Sequence, residues 1–185
     1  MAAMTLVDGP RDGATEVTVW SLQQTDPDQI VPSRHPGVTP MLLRASRPAP
    51  ELSEFFYRLV GGPWQWVDRL NWSADRWLAW VDRPEHHLTT CWVDGVPAGY
   101  FELEEQGHSV EIAYFGLNRQ FIGHGIGGWL LTTALEQAWT VAGGAERVWL
   151  HTCSLDGPAA LSNYQARGLV IFDESSEWRL TDQNG

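Results

Sequence analysis

Four glycines in six positions, Gly123, Gly125, Gly127 and Gly128 in "GHGIGG", separate a strand-like run, "SVEIAYFGL" (109–117), from an apolar helix-forming run that starts at Ile126. Each glycine costs roughly 0.5–1 kcal/mol relative to alanine in regular structure, so four of them at a helix start need a local reason. Strand, glycine loop and helix amino terminus, in that order, form a recurring anion site. The unpaired N–H groups converge there, and the missing Cβ atoms let a phosphate come close. A tight turn that only permits close helix packing is the plainer alternative. Gly123, Gly125 and Gly128 also satisfy the dinucleotide pattern G-x-G-x-x-G, with Asp156 at the end of the following strand. Against that fold, Asn118 to Ile122 separate strand from glycine, and the strand belongs to an antiparallel group. No Lys-Ser/Thr pair follows the glycines, which excludes a nucleotide-triphosphatase loop.

The segments around the loop define a mixed fold. "HLTTCWV", "VPAGYFELE" and "SVEIAYFGL" read as three consecutive antiparallel strands turned at Asp94-Gly95 and Gln106-Gly107. Upstream, "EVTVW" (16–20) and "MLLRAS" (41–46) are strand-like, and between them Pro27, Pro32, Pro36 and Pro40 mark a surface loop. "APELSEFFYRLV" (49–60) is a helix with Leu52, Phe55, Phe56 and Leu59 on one face, and Ser73 caps a second, "ADRWLAWVDR". Trp64, Trp66 and Trp72 crowd the stretch between them. Downstream, Ile126, Leu130, Ala134 and Ala138 mark the buried stripe of a helix that stops at Gly143-Gly144. A strand, "RVWLHTC", and a helix, "PAALSNYQAR", follow, with Asp156 as the helix cap and Pro158 in its first turn; "LVIFDESSEWRL" reads as a last hairpin. The fold class is α/β (α+β). At 185 residues and 43% hydrophobic content the chain is sized for one domain, 1–185, with 1–48 supplying the N-terminal strands and the proline-rich loop.

A net charge of −11 repels nucleic acid and anionic membrane and favours a cationic partner. The first residues lack a basic n-region and an apolar h-region, and no run approaches the roughly 18 apolar residues of a membrane span, so the expected location is cytoplasmic. Cys91 and Cys153 stand apart in strand-like segments without C-x-x-C spacing or a histidine cluster, which reads as reduced core thiols and no metal site.

"SVEIAYFGLNRQFIGHGIGGWLL" and "RVWLHTCSLDGPAALSNYQARGL" resemble the two signature segments of the GNAT (GCN5-related N-acetyltransferase) superfamily; with the preceding hairpin the resemblance covers about residues 86–173. It implies a mixed, mostly antiparallel central sheet flanked by helices and splayed between the family's strands 4 and 5. It also implies that Ile122, Gly123, His124, Gly125, Ile126 and Gly127 cradle the pyrophosphate of acetyl-CoA (coenzyme A), with Ile122 where the family has Arg or Gln. Phe115, Gly116 and Leu117 would pair with the pantetheine arm. Tyr164, in "NYQARGL", falls where the family has a tyrosine that protonates the departing thiolate, a task suited to a phenol that stays protonated at neutral pH. The family's asparagine at the start of that helix falls on Gly157.

Glu111 is the single charge in an apolar run of the kind that marks a central strand. Burial of a lone carboxylate disfavours its charged form, which poises such a group to accept a proton. If Gln106-Gly107 is the two-residue turn, Glu102 lies directly across from it. By resemblance, a glutamate six residues before Leu117 is a general base, often acting through water. His151 is the alternative base or proton relay. Trp64 and Trp66 lie where the family walls its acceptor pocket, and indole faces suit a cationic amine. With Glu102 and His151 they make the candidate substrate-binding set, while Arg119 and Arg167 are placed near the phosphate end. The expected function is acetyl-CoA-dependent N-acetyl transfer to a primary amine by direct attack. Small amines, polyamines, aminoglycosides and protein amino termini all fit as acceptors, and a homodimer is compatible. The competing function is a non-catalytic acyl-CoA-binding or sensing module, or a chaperone-like partner, with the same fold.

Overall fold

The computed structural model describes residues 4–141 and 143–181. Asp94 and Gly95 both adopt left-handed backbone, φ 50° and 78°, and Val93 therefore faces Val96 across the two-residue turn expected for this hairpin. The next turn is displaced by one residue. Gln106 pairs with Ser109, so Gly107 (φ 66°) and His108 form it, because the glycine takes the first central position that needs positive φ.

The eight strands are β1 (Met4–Val7), β2 (Ala14–Gln24), β3 (Met41–Arg44), β4 (His86–Val93), β5 (Val96–Gln106), β6 (Ser109–Leu117), β7 (Arg147–Cys153) and β8 (Val170–Thr181). They form one sheet in the order β1-β8-β2-β7-β6-β5-β4-β3, antiparallel throughout except at β6-β7. The helices are α1 (Pro50–Gly61), α2 (Ala74–Val81), α3 (Ile126–Val141) and α4 (Ala160–Ala166). This is the mixed, mostly antiparallel sheet with flanking helices that the sequence implied. The segment expected to be a terminal hairpin is instead one strand, β8, whose Val170–Leu180 stretch pairs along β2; Asp173, Ser175 and Ser176, turn-forming types, are held in the ladder by Ser21, Val19 and Thr18.

Helix α3 covers one face, with Ile126, Leu130, Ala134 and Ala138 all fully buried against Phe101, Leu103, Val110 and Leu150. Helices α1 and α2 cover the other. There α1 turns Phe56, Tyr57 and Val60 inward, not Phe55, which is 45% exposed; Phe56 and Val60 pack on Leu88 and Tyr100. Ser73 Oγ accepts from Arg76 N–H and caps α2 as expected. Cys91 and Cys153 are free thiols, Cys91 in the core with burial pushing it up to about 11. No helix among the described residues is long and apolar enough to cross a membrane.

Candidate active site

Pairing between β6 and β7 is parallel and short: Ser109, Val110 and Glu111 face Arg147, Val148 and Trp149, and there it stops. Beyond that point β6 stays with β5 and β7 stays with β2, so the sheet opens into a wedge. The local cause is a bulge in β6. Leu103 faces Ile112 and Glu102 faces Tyr114, which leaves Ala113 without a partner and bends the strand. The extra residue also reverses side-chain parity, so Val110 and Ile112 before it, and Phe115 and Leu117 after it, all pack in the α3 core. Past Glu111 the main-chain groups of β6 that point at the wedge have no strand to meet, so they are available to a ligand.

A cavity of about 930 Å³ fills the wedge. Phe115, Gly116 and Leu117 form one wall, the loop through Ile122, Gly123, Gly125 and Gly127 forms its end, and α4 with Tyr164 forms the opposite wall. Gly123 (φ 86°) and Gly125 (φ 78°) occupy backbone that other residues rarely adopt. A Cβ on Gly123 would point into open space, and one on Gly125 would meet nothing nearer than Pro36 at 4.0 Å. The loop is thus an open concavity that leads into the first turn of α3, where four N–H groups lack intrahelical acceptors. These residues fit a diphosphate. His124 is exposed and does not line the cavity, and the Ile126 side chain is buried in the core, leaving only its main chain toward the loop. Arg119 lines the cavity, and Arg167 Nη1 lies beside Gly128, so both arginines sit at the glycine end. Tyr164 is 7% exposed and burial drives its phenol well above the usual range; its ring meets Phe115 edge-on at 6.1 Å.

Trp64 and Trp66 also line the cavity, and they do so by reaching across the wedge. Trp66 Nε1–H donates to Asp156 Oδ1 at 3.1 Å, and the Trp64 ring lies over Gly157, where a Cβ would come within 3.3 Å of it. Gly157, the departure from the family asparagine, therefore makes room for an indole. Asp156 does not cap α4, which starts later, after Ala159, without a side-chain cap. Its other oxygen instead accepts from Thr152 Oγ1 (2.6 Å) and Cys153 N–H (3.1 Å). No sequence signal marks this clamp, because one of its partners is 90 residues away.

Glu111 is not a lone carboxylate. His151 Nδ1 lies 3.2 Å from Oε1, and the Gln106 amide donates to Oε2 at 2.8 Å. The His151 side chain is 55% exposed and Glu111 11%. The bond to Glu111 raises the His151 pKa, burial opposes it, and Asp156 and Asp68 add to the rise. Glu102 is elsewhere. The displaced turn and the bulge put it opposite Tyr114, and its 1% exposed carboxylate binds Ser53, Trp80 (2.6 Å) and His86 (3.1 Å) under α1 and α2. It is not part of the cavity lining. The residue across from Glu111 is Glu104. The indoles beyond Trp66 hold a cation of the chain's own, since the Arg69 guanidinium sits 4.3, 3.7 and 4.3 Å from the rings of Trp72, Trp80 and Tyr114. Among the described residues no group of three or more His, Cys, Asp or Glu could hold a metal ion.

The sequence model of the acetyltransferase (GNAT) family matches residues 50–169. Among solved structures, a GCN5-related N-acetyltransferase from Kribbella flavida superposes with TM-score 0.63 at 17% identity, over 99% of this chain and 61% of that one. One from Sphaerobacter thermophilus gives 0.63 at 18% identity, over 94% and 55%. An aminoglycoside acetyltransferase from an uncultured soil metagenomic sample, in complex with trehalose, gives 0.57 at 16% identity, over 69% and 86%. The chain thus spans less than two thirds of the first two. No curated protein matches the sequence significantly.

Proposed function

The chain belongs to the GNAT acetyltransferase family, and from that premise we propose that it is an N-acetyltransferase that moves an acetyl group from acetyl-CoA to a cationic primary amine by direct attack. One observation carries this reading. The wedge between β6 and β7 has a glycine-lined anion end and a buried phenol on its wall, and an imidazole–carboxylate pair, outside the cavity lining, stands where the β6-β7 pairing ends, with Glu111 in the last pair and His151 two residues beyond Trp149.

The main-chain amides from Gly123 to Gly127 would hold the diphosphate, and the free edge of β6 from Phe115 to Leu117 would hydrogen-bond the amides of the pantetheine arm. When bound, the cofactor supplies an acetyl group activated as a thioester. Glu111 fixes the His151 ring through Nδ1, so Nε2 is left as the base, and it takes the proton from the substrate ammonium. Assigning the base to His151, with Glu111 as its orienting partner, follows from the 3.2 Å contact and from the shielding of Glu111, whose other oxygen is already occupied by Gln106. The Tyr164 phenol, kept protonated by its burial, is the proton source for the departing sulfur. Asp68 and Asp156, whose fields both reach His151, favour an acceptor that carries positive charge. The neighbour that acts on aminoglycosides supports a cationic acceptor in the same fold.

The test is coenzyme A thiol release with acetyl-CoA and a panel of a small diamine, a polyamine, an aminoglycoside and an amino-terminal peptide. Amine-dependent release that is lost in His151→Asn supports the reading. Tight coenzyme A binding with no release for any amine would replace it with an acyl-CoA-binding module.

A further inference from the structure

A second cavity, of about 550 Å³, opens on the α1/α2 side of the sheet and shares no residue with the wedge. Its walls are the β3–α1 connection, the end of α2 and the start of β4. In a chain with 23 carboxylates and 12 basic side chains, this lining reverses the ratio: Arg44, Arg47 and Arg83 face a single acid, Asp82. His86 and His87 complete the polar wall.

Arg83, His86 and His87 each have a carboxylate partner, Glu104, Glu102 and Glu105, whereas Arg44 and Arg47 have none in direct contact among the described residues. Arg44 Nη2 donates to His87 Nδ1 at 2.7 Å, while His87 Nε2 lies 2.6 Å from Glu105. The Arg44 charge therefore meets an imidazole lone pair, not a carboxylate. Arg47 makes no ion pair among the described residues. Helix α1 begins at the same wall: its N-cap, Ala49, has no side-chain acceptor, so main-chain N–H groups of the first turn after Pro50 stay open to a ligand, although Glu51 in that turn offsets part of the helix-end charge. Guanidinium groups match the oxygens of a phosphate in pairs, and the volume exceeds what an inorganic anion fills.

Arg83 carries the site toward the wedge. Its Nη1 binds Glu104 Oε1 at 2.6 Å, and the Gln106 amide bridges Glu104 Oε2 (3.3 Å) and Glu111 Oε2 (2.8 Å). Glu111 holds His151. Glu104 and Glu111 are direct partners across β5 and β6, so the two carboxylates of this chain lie side by side on the sheet.

We propose that this cavity binds the phosphate group of a small phosphorylated metabolite and that Arg83, through Glu104 and Gln106, links its occupancy to the Glu111–His151 pair. An anion that draws on Arg83 leaves Glu104 less neutralised, which adds negative field at Glu111 and favours the His151 imidazolium. Linkage requires the reverse too: protonation of His151 tightens anion binding. The binding stands on the cavity alone. Its regulatory meaning rests on the proposed role of His151.

The experiment titrates inorganic phosphate, and separately glycerol 3-phosphate, into the protein held with saturating coenzyme A, by calorimetry. The His151 ring is followed by NMR, which needs no turnover. Wild type and the double variant Arg44→Ala/Arg47→Ala, whose altered side chains are exposed, are compared. Binding in wild type that weakens about tenfold or more in the variant, with coenzyme A affinity unchanged, supports the site. Equal heats in the two proteins, or none in wild type, overturn it. Tighter binding of glycerol 3-phosphate than of phosphate supports a metabolite; equal binding would overturn that and assign the cavity to free phosphate. A His151 titration that moves to higher pH with anion in wild type alone supports the link, and an unmoved titration overturns it. Failure of coenzyme A to bind, or absence of acetyl transfer, would count against the acetyltransferase reading and is read independently.

Discussion

Gly116→Ala tests whether the wedge depends on close approach of α1 to β6. A Cβ built on Gly116 lies 2.4 Å from Val60 Cγ1, a methyl group on α1 that is 1% exposed, and 3.9 Å from the Trp66 ring. Carbon atoms settle at about 3.5–4.0 Å, so one of the two elements must retreat by over an ångström, and such overpacking costs about 1–3 kcal/mol. Val60→Ala alone removes two buried carbons, about 2 kcal/mol when transfer and cavity are counted. In the double variant the new methyl enters the space that Val60 vacates. The combined loss should then fall short of the sum by about 1–2 kcal/mol, the signature of contacting residues. Urea unfolding of the four proteins with a common slope measures this, and calorimetry with coenzyme A reads the consequence for the cavity. Affinity should fall in Gly116→Ala and recover in the double variant. Losses that add within about 0.5 kcal/mol, or a fully stable Gly116→Ala, would refute the packing argument.

Gly125→Val places a β-branched residue at φ 78° in the anion loop; coenzyme A affinity should drop at least about tenfold, and unchanged heats would remove the loop from the binding site. Tyr164→Phe should lower turnover with acetyl-CoA much more than cofactor affinity, and an unaltered kcat would dismiss the phenol as acid. For pH, the pair at 3.2 Å raises the His151 pKa, so kcat/KM should climb only as pH passes above the ordinary histidine value of about 6.5. Glu111→Gln removes the largest cause and should move that limb to lower pH, while a limb that stays in place would assign it to another group. The same shift works on stability: because folding favours the imidazolium, the contribution of His151 is complete below about pH 6.5 and is lost as pH rises through the raised value. Glu102 behaves oppositely. Burial pushes its pKa up, but bonds from His86, Ser53 and Trp80 outweigh that and lower it, so its stabilisation holds above the usual carboxylate range and is lost as pH falls through the lowered value. Thermal melts of Glu102→Gln against wild type between neutral and acid pH should converge at the acid end.

Local pattern was enough to read most of the scaffold. The glycine loop, the Asp94-Gly95 turn, the Ser73 cap and the buried stripe of α3 are each specified by residues within a few positions of one another, where backbone sterics and helical period decide the outcome. The resemblance assigned Tyr164 and the glycines to one cofactor, and the structure sets Tyr164, Gly123, Gly125 and Gly127 around a single cavity. What the chain's order of residues could not reveal were the relations set by a one-residue change of register. The turn at Gly107-His108 and the bulge at Ala113 exchanged Glu104 for Glu102 as the neighbour of Glu111 and carried Glu102 under the helices. The remaining surprises join distant segments: Asp156 with Trp66, His151 with Glu111, Arg69 with its aromatic rings, Arg83 with Glu104. Such pairs form only when the folded sheet, helices and loops bring separate segments together, since a side chain's partner is chosen by three-dimensional proximity and parity, and local propensity carries no record of either.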